Sequence, residues 1–357
     1  MLKIFEYFEG AEKLKKSRKK KRNTVLSTVA KVLAVIGITL AFVLIAALLA
    51  VFLLLKGPSE TAKTIFTVSC YETSAMKWVP KMFISQEEYD KIIDSSRMAE
   101  VEEGVVADTS KIEVQENASQ DIELLDVVGS SFKGKLLIIH DPSRVFLGTI
   151  PQFGEFDGEV VQDIASHYEG VVAGINGGDF VDMGSYSYTA QPLGCVISNG
   201  QVVFDEYGSD TPYHISGFTN DNKFIMGNIT LNEALNLGVR DAVYTVHNTG
   251  PFLVMDGEAL INEVPDSATY GGGKNPRTAI GQREDGAVLM LVVDGRQADS
   301  LGATFKDLAY AMLEYGAVNA CAMDGGTSSQ MVYEGQVINH PYSPTGPRRC
   351  PDAWLVK

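Results

Sequence analysis

The chain has 357 residues, 45% of them hydrophobic, with 34 Gly, 13 Pro, 4 Cys and a formal net charge of −15. That balance excludes collagen-like, wholly disordered and disulfide-scaffold proteins, and the length suits one large domain with appendages. The charge is unevenly spread: residues 1–31 hold ten Lys/Arg against three Glu, and the acidic bulk behind them would repel phosphates, so no nucleic-acid partner is expected.

From Val32 to Leu55 the chain carries no charge. Twenty-four residues at about 1.5 Å each span roughly 36 Å, enough to cross a hydrocarbon layer of about 30 Å. The apolar run is too long for a cleaved signal peptide and too uniform for a core helix. It is read as a transmembrane signal anchor. The basic run Lys13–Arg22 then keeps residues 1–31 as a cytoplasmic tail, with everything beyond Lys56 outside the cell.

Residues 56–130 read as a stalk or accessory segment. A helix is expected around Ser85–Ser96, opened by a Ser-Gln-Glu-Glu capping signal. The acidic stretch Glu100–Gln120 follows and is expected to be flexible or loosely packed.

From about Ser131 to Lys357 short β-rich runs alternate with turn dipeptides. Residues 136–140 and 144–148 read as paired strands around Asp141-Pro142-Ser143. Asn199-Gly200, Asp256-Gly257 and Glu334-Gly335 read as type I′ hairpin turns. Ala287–Arg296 is a continuous apolar run ending in Asp294-Gly295-Arg296. Thr304 and Asp307 then supply the N-cap and N3 positions of a helix with one apolar face, Phe305, Leu308, Ala309, Met312 and Leu313. Gly316 ends it, and a second buried run leads to Asp324-Gly325-Gly326. Strand, helix and strand in that order predict a right-handed crossover between parallel strands, with Asp294 and Asp324 at one sheet edge. The expected fold is α+β or mixed α/β: a β-rich mixed sheet with hairpins and at least one parallel βαβ unit, preceded by a single transmembrane helix.

Two carboxylates at one strand edge can divide acid and base roles or share a cation. A divalent cation is compatible with these acids, its ligands unknown. The five His residues, 140, 167, 214, 247 and 340, form no metal motif, and His247 is the one singled out for a functional role. Gly174–Phe180 brings an amide, two glycines and Asp179 to another strand end, and Lys274–Gly281 puts Arg277 before a further strand. Arginine suits a phosphodiester because its planar donors engage two oxygens at once. Arg348 and Arg349 add charge near the end of an otherwise acidic domain. Together these suggest an anionic ligand in a local basic pocket. The four cysteines permit disulfides in three connectivities, yet Cys195 and Cys321 sit in apolar strand patterns and read as buried thiols.

Asn-Gly-Gly-Asp-Phe, Asn-Pro-Arg-Thr-Ala-Ile-Gly, Val-Asp-Gly-Arg, the helix and Asp-Gly-Gly-Thr-Ser-Ser, in that order over Ser131–Lys357, resemble the phosphodiester glycosidase family. Asp179 stands where an aromatic residue is usual, Thr327 replaces a third glycine, and Asp352 stands where Asn is common. The resemblance implies a membrane-anchored extracellular hydrolase that opens the glycosidic bond of sugar-1-phosphodiesters in cell-surface glycopolymers or exopolysaccharide. Cleavage at phosphorus, or a non-catalytic polysaccharide-binding or assembly role, are the other readings. Asp294 and Asp324 are the expected acid/base or cation pair. Arg277 and Arg296 would hold phosphate, and Asn176 with Ser328 or Ser329 would orient sugar or phosphate. Gly177, Gly178, Asp179, Gly325, Gly326 and Arg348 complete the expected binding set.

Overall fold

The structure is a computed structural model that describes residues 2–72, 76–96, 98–182, 187–245, 251–260, 272–343 and 346–357, with backbone alone for 2–27. Two compact units are distinguished, Met1–Pro58 and Ser59–Lys357. The first is the helix Leu2–Lys56, whose stretch Thr28–Lys56 is long and apolar enough to cross a membrane.

Several short helices, a two-stranded sheet pairing Phe180–Asp182 with Ser187–Pro192, and three larger antiparallel sheets make up the described part of the second unit. The largest runs in the order Ile122–Val128, Lys133–Ile139, Val288–Val293, Arg277–Arg283, Ala317–Met323, Phe252–Met255, Glu258–Ala259. A five-stranded sheet holds Phe224–Thr230, Pro212–Thr219, Val239–Tyr244, Cys195–Ser198 and Gln201–Asp205 in that order. Another places Asp352–Val356 between Ala173–Asn176 and Val145–Thr149, with Met331–Tyr333 and Gln336–Val337 beyond.

Val288–Val293 is buried along its whole length because both faces of the large sheet are covered. Leu289, Leu291 and Val293 meet Leu308, Ala309 and Met312 of the helix Phe305–Glu314. The alternate residues Val288, Met290 and Val292 enter the core shared with the other sheets, where Trp354 packs edge-on against Phe218 at 5.5 Å. Alternation with period two thus serves two cores at once. The helix opens with the expected Thr304–Asp307 capping box. All three expected hairpin turns carry left-handed backbone at both central residues, as type I′ requires.

Several expectations are corrected. The strands flanking the helix do not pair with each other: Arg277–Arg283 lies between them, antiparallel to both. Val288–Val293 and Ala317–Met323 therefore point the same way, but every strand pairing among the described residues is antiparallel and no parallel ladder forms. Lys133–Ile139 and Val145–Thr149 likewise belong to different sheets, separated by the short turn Pro142–Arg144. The acidic stretch after Glu100 is not loose. Gly104 N–H and Ala107 N–H bond to Asn228 O and Met226 O, and Val101, Ala107 and Ile112 are buried. Apolar residues spaced among the acids dock this segment. The helix Gln86–Ser95 forms with Ser85 capping Glu88 N–H, while the Glu88 carboxylate reaches Lys63 at 2.9 Å.

Candidate functional site

The ends of several strands meet at Asn176. Its Nδ2 donates to Asp324 O at 2.7 Å, and its Oδ1 accepts from Thr278 Oγ1 at 2.8 Å and from Gln330 N–H at 3.2 Å. This fully buried amide ties three elements from two sheets together, so its polar atoms are engaged by protein. Truncating it strands buried donors and acceptors. Asn176→Ala is expected to cost about 3 kcal/mol, read as a lowered urea midpoint at unchanged slope.

After Asn176 the chain makes a close passage. Gly178 N–H donates to Asp352 Oδ1 at 2.7 Å, and a Cβ on Gly177 would lie 2.0 Å from that same oxygen. Only glycine fits there. Asp352 Oδ2 is buried with no hydrogen-bond partner among the described residues. Burial, with Asp179 adding like charge, pushes this carboxyl up to about 7.

Asp324 is raised for related reasons. Burial is the main cause and the charges of Asp179 and Asp182 add to it, against the Ser328 hydrogen bond and the charge of Arg348. Arg348 is itself held by Asp182 Oδ2 at 2.9 Å and Ser187 Oγ at 2.8 Å, over the Phe180 ring. The structure thus gathers Asp324, Asp179, Asp352, Ser328 and Arg348 around the Asn176–Gly178 turn.

Asp294 follows Val288–Val293, with Arg277–Arg283 lying between that strand and the one that ends at Asp324. Asp294 Oδ1 accepts from Asn339 Nδ2 at 3.0 Å and His340 N–H at 2.9 Å. Asn339 also bonds Ser329 O at 3.1 Å, which links Asp294 to the loop after Asp324 through a bridging amide. Ser329 Oγ is buried and unpartnered among the described residues.

The arginines flank the Asp324–Gly326 turn. A Cβ on Gly325 would come within 3.9 Å of Arg277 Nη1, and one on Gly326 within 3.5 Å of Arg296 Nη2. Arg296 adopts φ of 58°, an uncommon conformation for this residue, and bonds Asn275 Oδ1. Burial and the neighbouring Arg277 pull its guanidinium below the usual range. Arg277 is 3% exposed and held at two of its three nitrogens: Nε to Ala303 O, Nη2 to Gly273 O and to Glu72 Oε2 at 2.5 Å, its guanidinium carbon 3.7 Å from the Phe305 ring centre. Glu72 accepts in addition from Gly273 N–H and Asn275 Nδ2.

Among the described residues no three His, Cys, Asp or Glu side chains group as metal ligands. His247 lies outside the described residues. All four cysteines are free and buried, their thiols pushed up by burial. Glu72, Asn339 and Asp352 were not among the expected site residues. Asp352 had a visible signal, an acid within an apolar strand start. Glu72 had none, because its partner Arg277 lies 205 positions away.

The raised Asp352 has a measurable consequence. The folded chain keeps a proton that the unfolded chain releases above about pH 4, so stability falls as pH rises toward 7 and then levels. Asp352→Asn is expected to lessen that slope by up to about 1.4 kcal/mol per pH unit, measured by denaturant titrations across the range.

Comparison with known proteins gives a consistent picture. The phosphodiester glycosidase family profile matches residues 169–357. A prophage-derived uncharacterized protein, YomE, of Bacillus subtilis is 48% identical over 67 residues, 19% of this chain and 10% of that protein. The N-acetylglucosamine-1-phosphodiester alpha-N-acetylglucosaminidase of Bos taurus is 25% identical over 162 residues, 43% of this chain and 30% of that enzyme. The chain therefore spans a third or less of these relatives. The zebrafish catalytic domain of the same enzyme name, solved in a form auto-inhibited by its pro-peptide, shares the fold at a TM-score of 0.54 and 22% identity. That match covers 72% of this chain and 88% of that one.

Proposed function

This chain belongs to the phosphodiester glycosidase family, and on that premise we propose that it hydrolyses the glycosidic bond of sugar-1-phosphodiesters in cell-surface glycopolymers. In this reading residues 131–357 are the catalytic domain, 56–130 an accessory segment, 32–55 the membrane anchor and 1–31 a cytoplasmic tail. The observation that carries it is the raised carboxyl of Asp324, acted on by the charge of Arg348, with buried Arg277 and half-buried Arg296 at the Gly325-Gly326 turn that follows. A carboxyl that keeps its proton near neutrality can donate it, and it does not repel an anionic substrate. Asp324 gives its proton to the departing phosphate oxygen as the anomeric C–O bond breaks. Asp179 takes a proton from the water that adds to carbon, and free sugar and a phosphomonoester leave. Arg277 and Arg296 supply positive potential at the Asp324–Gly326 turn, while Arg348, Ser328 and Ser329 offer donors to phosphate or sugar oxygens. Gly177, Gly178, Gly325 and Gly326 permit close approach, Asn176 positions the Asp324 backbone, and Asp294 holds the adjoining loop through Asn339.

The test is incubation of the full chain in detergent with an N-acetylglucosamine-1-phosphodiester and with isolated cell-wall glycopolymer, products identified by mass spectrometry. Free sugar with phosphomonoester is the expected outcome. Sugar phosphate would move the scissile bond to phosphorus, and no product from either substrate would favour a binding role.

A further inference from the structure

A second concavity lies beyond the site, past the edge of the sheet that carries Asp352. Asp352 is the direct cross-strand partner of Thr149, and Thr149 begins the wall of a cleft of about 590 Å³. Paired residues on adjacent strands lie about 5 Å apart, so the cleft opens one ladder rung from the candidate site. Its wall segment is fixed by backbone bonds, Ile150 N–H to Pro351 O and Gly154 N–H to Ala190 O.

The lining has a distinct chemistry. Phe153 and Phe204 form an edge-to-face pair with centroids 5.9 Å apart, anchored against the core, and Val203 is 45% exposed beside them. Gln152, Gln191 and Glu155 line the same cleft, and their side chains make no hydrogen bond among the described residues. The cleft contains no cationic side chain, and its one charge is the Glu155 carboxylate. An aromatic pair beside polar side chains that no described residue engages, at this volume, gives a cleft open to a small polar ligand. A phosphate would meet no cation here and one repelling carboxylate. A pyranose ring matches: its C–H face covers the aromatic floor and its hydroxyls reach the amides and carboxylate. Gln191 also shares the strand Ser187–Pro192 with Ser187, which contacts Arg348. Four residues of strand cover no more than about 14 Å.

We propose that this cleft binds a neutral sugar residue of the glycan, removed by one or more units from the phosphodiester that is cleaved. The choice of a glycan as ligand rests on the phosphodiester glycosidase reading above. The cleft selects substrates with a neutral oligosaccharide beyond the scissile end, and contributes to binding, not to bond breaking.

Binding to the full chain in detergent is measured by calorimetry with three probes: β-1,4-linked N-acetylglucosamine tetramer, cellotetraose and the anionic tetragalacturonate. At least one neutral tetramer is expected to bind and the anionic one not. The double variant Gln152→Ala/Gln191→Ala is expected to weaken that binding at least tenfold. Val203→Glu, at an exposed position, is expected to do the same by putting a second carboxylate on the floor. Turnover of a small sugar-1-phosphodiester should be unchanged in both. Absence of binding by the parent, equal binding by both variants, or preference for tetragalacturonate would overturn the proposal. Intact, cleft-dependent binding with no phosphodiester turnover by the parent would overturn the enzymatic reading instead and leave the cleft standing.

Discussion

Asp324→Asn is expected to slow turnover of a sugar-1-phosphodiester by about 10²- to 10⁴-fold while raising the denaturation midpoint near neutral pH, because the unfolded variant has no carboxyl left to ionise. Burial and the charges of Asp179 and Asp182 already hold the parent carboxyl in its neutral form. An amide of the same shape keeps the Ser328 contact and adds no charge, so the fold loses little. What disappears is the proton. The parent should also lose activity as pH rises through the raised value of this carboxyl, since a general acid fails once ionised. In the variant the small residual rate should lack that alkaline limb. Full retained activity would remove Asp324 from the mechanism, and a variant that fails to fold would make its role structural.

Arg277→Ala is expected to destabilise the protein by about 3–5 kcal/mol, read as a fall in urea midpoint with unchanged slope. The substitution leaves the Glu72 carboxylate, 6% exposed, without its cation. It also removes donors to Ala303 O and Gly273 O and uncovers the Phe305 ring. The informative control is the double variant Glu72→Leu/Arg277→Met. Replacing both partners of a buried pair by apolar groups is often nearly neutral, so the double variant should recover much of the loss. A deficit in the double variant equal to the sum of the singles would mean that the two side chains act independently. Glu72→Gln is the milder probe, because an amide can still accept from Arg277.

Local signals were readable in advance; long-range pairings were not. The Thr304–Asp307 capping box, the apolar face of the following helix and the three X-Gly hairpin turns each depend on residues within a few positions of one another. The Asp-Gly-Gly turn and the Asn176–Gly178 turn were likewise visible as polar residues at the ends of apolar runs. Strand order was not, because the placement of Arg277–Arg283 between its two neighbours is decided by which faces the whole sheet must cover. The same holds for the site. Asp294 and Asp324 look equivalent in sequence, each an Asp before Gly at the end of a buried run. Asn339, 45 residues beyond Asp294, engages one of them, while Asp179 and Asp182 act on the other. The role of Glu72 as the counter-ion of Arg277 arises from tertiary proximity alone.

The strand Asp352–Val356, with Trp354 wholly buried, lies inside its sheet, between Ala173–Asn176 and the edge strand Val145–Thr149. During biosynthesis Ala173–Asn176 and Val145–Thr149 emerge long before it, and each must wait with an unsatisfied flank. The ribosome has to deliver residue 356 before this sheet can close, so its two flanking strands stay open while about 180 further residues are synthesised. Until then the nascent polypeptide displays apolar surface and open strand flanks, the features that make incomplete folds prone to aggregate. A premature stop anywhere upstream would yield a product destined for proteolysis and not a shortened but working protein.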